Sequence, residues 1–274
     1  MKLKMFQIDA FTSKRFEGNP AAVVVMDADI DESVMQLIAA ENNLSETAFV
    51  NISSEPFHIR WFAPSAEVDL CGHATLASAK ALFDNYFQEK NEIVFTCKEH
   101  GKLLAKRDDG LIYLDFPTDN PAKYERLEKI RDAIGVMPDA AYQGKTKLMA
   151  VLSGEQKVKD LEPNFEKISR FDQMGLIVTA RSSEFDFVSR CFFPKTGVDE
   201  DPVTGSAHAV MIPYWASQLG KNKMVAKQIS ERSGILYCEL ADDRVIIGGY
   251  ATTFFHGEII ISVSYTHLTL PTKA

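Results

Sequence analysis

Glu46, His73 and Asp201 are the side chains best suited to move a proton. Glu46 heads the apolar run Ser45-Glu46-Thr47-Ala48-Phe49-Val50. Buried apolar neighbours favour the neutral form of a carboxyl, which suits a group that must both accept and donate a proton. His73 lies in Cys71-Gly72-His73-Ala74, where a turn leads into a helix and an imidazole can act as a neutral donor or a second proton carrier. Asp201, in Asp199-Glu200-Asp201-Pro202, precedes a similar turn and can hydrogen-bond a substrate amine or hydroxyl, or orient His73. Cys71 sits at a helix start, a place that lowers a thiol pKa and makes it reactive. Each residue also has a plainer reading, as a solvated or capping group that complements a helix dipole.

Backbone groups would hold the substrate against these side chains. At Gly72 and again at Gly205 a strand ends, glycine lets the chain pass tightly, and a helix begins. The free amide N–H groups of a first helical turn, at the positive end of the helix dipole, bind anions. Gly72, His73 and Ala74 on one side, with Gly205 and Ser206 on the other, would clamp one carboxylate. Asn19, in Gly18-Asn19-Pro20, is a turn signal first and an amide donor to a ligand second.

The two turns correspond because the chain repeats itself. Arg60-Trp61-Phe62-Ala63-Pro64, followed by Cys71-Gly72-His73-Ala74, is echoed by Arg190-Cys191-Phe192-Phe193-Pro194 and Thr204-Gly205-Ser206-Ala207, at 190 − 60 = 130 growing to 205 − 72 = 133. His100-Gly101-Lys102-Leu103 with Asp108-Asp109 is echoed by Ser233-Gly234-Ile235-Leu236 with Asp242-Asp243. Duplication predicts two similar domains with the glycine turns meeting between them. Matching Ser54-Glu55 with Ser183-Glu184 puts Glu46 opposite Gly175, so the acid exists in one half only. A single substrate in a shared cleft needs one such group.

Period-two runs from Phe6 to Phe11, Ala21 to Met26, Ala48 to Ile52, His58 to Phe62, Ile93 to Cys97, Gly101 to Arg107 and Leu111 to Phe116 read as strands. Asp31 can cap a helix that stops at Asn42-Asn43. Helices from Ala74 to Phe83 and from Ala207 to Leu219, poor in charge, read as buried centrepieces, with Pro213 expected to kink the second. The expected fold is α+β: two pseudo-symmetric domains, residues 1–118 and 119–262, each a strongly curved mixed sheet around a central helix. Residues 263–274 read as a foreign tail.

A chain of 274 residues, 46% hydrophobic, can bury two such cores. Its net charge of −8 has no basic cluster to offset it, which argues against a nucleic-acid partner. No apolar run reaches the ~20 residues of a membrane span, and Met1-Lys2-Leu3-Lys4 opens no signal peptide, so the expected location is the cytoplasm. The four cysteines lack paired spacing, which indicates neither a zinc site nor a disulfide framework.

With Gly18-Asn19-Pro20, Asn42-Asn43-Leu44-Ser45-Glu46-Thr47-Ala48-Phe49, Cys71-Gly72-His73-Ala74-Thr75 and Asp201-Pro202-Val203-Thr204-Gly205-Ser206-Ala207-His208 in order, the sequence resembles the phenazine-biosynthesis PhzF family over about residues 3 to 262. The resemblance implies the diaminopimelate-epimerase fold, a homodimer, and an isomerase that needs no metal or organic cofactor. It implies that Glu46 shuttles a proton between carbons of a small cyclic carboxylic acid, with His73, Asp201 and Ser206 lining the site. Related epimerases use two cysteines; Cys71 matches the first, and Pro202-Val203-Thr204 offers no second. Two other readings remain open, an amino-acid epimerase or racemase using Cys71 and a small-acid binding protein without chemistry.

Overall fold

The computed structural model describes residues 1–261, so the expected foreign tail lies outside the described residues. Among the described residues, eighteen strands form one connected, curved mixed sheet, and their pairing repeats between the halves. Strand Asn19–Met26 runs parallel to Glu46–Asn51, as Lys147–Leu152 does to Gly175–Arg181. Strand Phe57–Phe62 lies antiparallel to Glu46–Asn51 and parallel to Glu92–Cys97; Phe187–Phe193 holds the same place between Gly175–Arg181 and Lys223–Gln228. The halves join where Leu111–Pro117 pairs antiparallel with Arg244–Gly249, and there Leu114 faces Ile247. Since 247 − 114 = 133, the offset of the two glycine turns, the pseudo-twofold passes through this pair. The left-handed turn residues Asp109 and Asp242 (φ 46° and 53°) obey the same offset, so Asp109 matches Asp242 and not the second aspartate of the doublet.

Each half wraps its sheet around a helix. The first core helix, Gly72–Asn85, is buried along nearly its whole length because Ala, Leu and Ser leave no charged face until Lys80. The second, Gly205–Leu219, is equally apolar and runs continuously through Pro213. Proline has no N–H for the carbonyl four residues back. That carbonyl, on Ala209, instead accepts from the Asp119 backbone N–H at 3.1 Å. Outside the sheet, helix Glu32–Asn42 covers the first half and Leu127–Ile134 the second, each over its own apolar cluster. Strands Asn19–Met26 and Lys147–Leu152 are therefore covered on both faces, and read as near-continuous apolar runs. Asn43, left-handed at φ 48°, ends helix Glu32–Asn42 where the sequence places the stop.

The strand expected to reach Phe11 ends at Ala10. Phe11 turns left-handed (φ 63°), buries its ring against Gly205 and Gly249 and sets its carbonyl and Cβ against Gly234. The last described strand, Ala251–Ile260, returns to pair with the first, Lys2–Ala10. Among the described residues no helix is long and apolar enough to cross a membrane.

Candidate active site

The two core helices start face to face. A Cβ added at Gly72 would stand 3.7 Å from the Gly205 Cα and 4.0 Å from the Ser206 amide nitrogen. The glycines thus bring two sets of free first-turn N–H groups to one junction, the arrangement an anion clamp requires. Gly72, His73, Ala74 and Gly205 are buried, while Ser206 is exposed beside them.

Glu46, the first residue of its strand, faces this junction with its side chain 21% exposed. Its Oε2 lies 3.2 Å from His73 Nε2. That is ion-pair distance, but the angle is not that of a hydrogen bond, and Oε2 remains a buried oxygen without a donor. Beyond His73 the chain of contacts crosses to the other half. Asn19 Nδ2 is 3.2 Å from His73 Nδ1 and donates to Asp201 Oδ1 (2.8 Å) and the Val203 carbonyl (2.9 Å). Asp201 Oδ2 accepts from the Thr204 hydroxyl, and its backbone carbonyl accepts from Gln228 Nε2 at 2.7 Å.

Burial pushes the Glu46 carboxyl above the usual range; nearby His73 opposes this and Asp201 reinforces it. Such a carboxyl is a stronger base when ionised and a stable acid when protonated. Cys71 behaves contrary to the expectation of a reactive thiol. Burial, with the charge of Glu46, lifts its pKa well above normal, and the helix-start amide of Ala74 is too weak to offset them. Thr204 occupies the matching helix-cap position, so no second thiol faces the first.

Glu46, Cys71 and His73 offer ligand atoms all within 4.8 Å of one another, close enough to meet at one cation. A metal on His73 Nε2 would require the ring proton on Nδ1, which faces the Asn19 N–H, another donor. That proton would meet the hydrogen-bearing Asn19 amide nitrogen, which weighs against this arrangement.

Of the residues singled out from sequence, Glu46, His73, Asp201, Asn19, Gly72 and Gly205 converge here. Asn19, however, is fully buried and its amide nitrogen is taken by protein acceptors, so it is not a ligand donor. Thr204, Gln228 and Phe11 support the site without having been legible in the sequence. Gln228 is fully buried and accepts from the Thr204 N–H (2.8 Å), pinning the second turn. Clefts of about 560 Å³ beside Arg60 and Trp61 and about 380 Å³ beside Arg232 and Tyr250 lie elsewhere and include neither Glu46, His73 nor Asp201.

The sequence profile of the PhzC-PhzF family, phenazine biosynthesis-like protein, matches residues 8–257. An uncharacterized isomerase of Pseudomonas aeruginosa is 45% identical over 262 residues, 96% of this chain and all of that one. A crystal structure of a PhzF-family protein from Enterococcus faecalis superposes with a TM-score of 0.92 at 44% identity, covering 95% of this chain and 100% of that one. A hydroxyproline epimerase from Agrobacterium vitis, 10% identical, shares the fold alone, with a TM-score of 0.61 over 94% of this chain and 92% of that one. The duplicated epimerase-like fold and near-full-length similarity place this chain in the phenazine biosynthesis-like PhzF family.

Proposed function

We propose that the chain is an isomerase that moves a proton between two carbons of a small carboxylic acid, with Glu46 as general acid/base and without a metal or organic cofactor. The observation that carries this reading is the Glu46 carboxyl itself. One of its oxygens is buried and lacks a donor, its pKa is raised, and it borders two opposed helix starts. The carboxylate takes a proton from a saturated carbon that adjoins the π system conjugated with the substrate's carboxyl group. The electron pair of the broken C–H bond delocalises toward that carboxyl, whose developing charge is stabilised by the amides at Gly72–Ala74 and Gly205–Ser206. Glu46, now a neutral acid, returns the proton to the other end of the conjugated system. One proton leaves and one returns, no net electron transfer occurs, and the site ends as it began.

Thr204 opposite Cys71 gives no support to inversion by two thiols. We further propose a homodimer acting on an anionic metabolite in the cytoplasm.

The test uses unsaturated cyclic acids bearing hydroxyl or amino groups, incubated with the protein in heavy water. Wild type incorporates deuterium into its substrate, and Glu46→Gln lowers turnover and exchange ~10²–10⁴-fold while binding persists. Exchange retained in Glu46→Gln removes Glu46 from the chemistry. Binding without exchange by wild type makes the chain a binding protein.

A further inference from the structure

Lys147, the first residue of strand Lys147–Leu152, is only 9% exposed, an uncommon place for an ammonium. Met149 and Val151 join the inner core with Val210 and Met211 of helix Gly205–Leu219, while Leu148, Ala150 and Leu152 pack outward with Ile130 and Ile134. Side chains alternate along a strand, so Lys147 is on the inner face. It pairs in parallel register with Gly175, as Ala21 does with Glu46, and so stands beside the place of the missing carboxyl. The offset 206 − 73 = 133 matches Ser206 with His73. His73 lies 3.2 Å from Glu46, and the same symmetry brings the exposed Ser206 to the Gly175 side of the junction.

The protein serves this ammonium poorly. Its one hydrogen bond is a long one, 3.4 Å to the Thr146 hydroxyl, and among the described residues it forms no ion pair. Asp119, the acid that most favours its charge, has both oxygens 3.0 Å from the Lys145 backbone N–H instead. Burial pushes the Lys147 pKa below the usual lysine range; Asp119 opposes this, and so does Asp201, whose charge also reaches Glu46. A buried cation without a counter-ion costs stability, and such a cost is retained where a ligand supplies the missing charge.

We propose that Lys147 is a substrate-binding residue, an ammonium on the wall opposite Glu46 that pairs with an anionic group of the substrate. This rests on the reading of the junction between the helix starts as the substrate site. The amides there offer partial charges only, and Lys147 adds a full one. Its partner is either the carboxylate held by those amides or a second anionic group on the same molecule. With Glu46 on one wall and Lys147 on the other, the bound acid is also oriented, because its anionic group turns toward the second half and the opposite face toward Glu46.

The experiment is calorimetric titration of the full chain with benzoate, phthalate and isophthalate, planar acids that do not isomerise, paired with thermal melts of the free protein. Wild type binds at least one of the three, and Lys147→Met weakens that binding at least ~10-fold, with Lys147→Arg recovering part of the loss. A loss confined to phthalate and isophthalate assigns Lys147 to a second anionic group; a loss shared by benzoate assigns it to the clamped carboxylate. Free Lys147→Met melts at or above the wild-type temperature, since it removes a buried charge that the protein leaves unpaired. Should Lys147→Met not fold, Lys147→Gln is the second variant. Unchanged binding in the folded variant overturns the proposal, as does wild type that binds none of the three. A free variant that melts below wild type also overturns it, by showing Lys147 to be a structural cation. Binding is read without turnover, so the result stands or falls separately from the deuterium test of Glu46.

Discussion

The two halves share their strand pairing and differ in what fills the matched positions. Glu46 and Ala63 in the first half correspond to Gly175 and Phe193 in the second. The first half carries a carboxyl at the head of its strand; at the same place in the second, the Phe193 ring lies against Gly175, which has no side chain. A second exchange concerns the seam beside each helix start. From the parallel registers of Phe57 with Phe95 and Phe187 with Ala226, Cys97 corresponds to Gln228. Gln228 ties Asp201 to Thr204, whereas Cys97 lines the 560 Å³ cleft together with Trp61, whose buried indole N–H has no partner. Duplication thus made a symmetric cradle. Divergence then left a carboxyl on one wall and rigid packing on the other.

After the loss of turnover expected of Glu46→Gln, the largest effect separating the halves concerns Gln228. Gln228→Ala leaves the buried Thr204 N–H and Asp201 carbonyl unpaired, and should cost roughly 2–4 kcal/mol in denaturant melts. Cys97→Ala, at the matched position, should cost under about 1 kcal/mol, near the scale of one small buried group. Equal losses would mean the two seams are equally structural.

Gly175→Ala tests the other exchange. The added Cβ would stand 2.6 Å from the Phe192 carbonyl oxygen and overlap the edge of the Phe193 ring. Overpacking of this kind costs roughly 1–3 kcal/mol. The penalty should shrink when Phe193→Ala is introduced as well, and a double-mutant cycle that adds without coupling would show that the ring does not occupy the place of the missing carboxyl.

The smallest expected effect is a pH dependence. Burial raises the folded pKa of Glu46 above its unfolded value, so the folded state favours the protonated acid. That preference is fully present below the unfolded pKa of about 4.3 and is lost as pH rises through the folded value. Glu46→Gln, which cannot ionise, should therefore melt higher than wild type at pH 8, with the gap closing toward pH 4. A gap that stayed constant with pH would contradict the raised pKa.

Much of this comparison was readable before folding was considered. The match of Gly72 with Gly205 and the unmatched Glu46 follow from residue order alone, because a duplicated chain keeps its register through strand pairing. Helix and strand positions followed the apolar period, with ends differing by a few residues; Asn43 stopped its helix as expected because asparagine tolerates left-handed backbone. What escaped depends on partners far away in sequence. Asn19 read as a ligand donor until Asp201 and Val203 took its amide nitrogen. Cys71 read as reactive from its helix start, since neither its burial nor the nearby Glu46 can be inferred from neighbours in sequence. Phe11 read as strand, and only its packing across three glycines reveals the turn.

The pairing of Ala251–Ile260 with Lys2–Ala10 sets an order on folding. During synthesis the opening strand has Asn19–Met26 on one side but waits on the other for a partner made far later, so the sheet of the earlier half keeps an open edge until Ala251–Ile260 has been made. Folding dominated by such distant pairings is slow, and truncation within the ten-residue strand Ala251–Ile260 should harm the half that carries Glu46 before the half that is nearer in sequence.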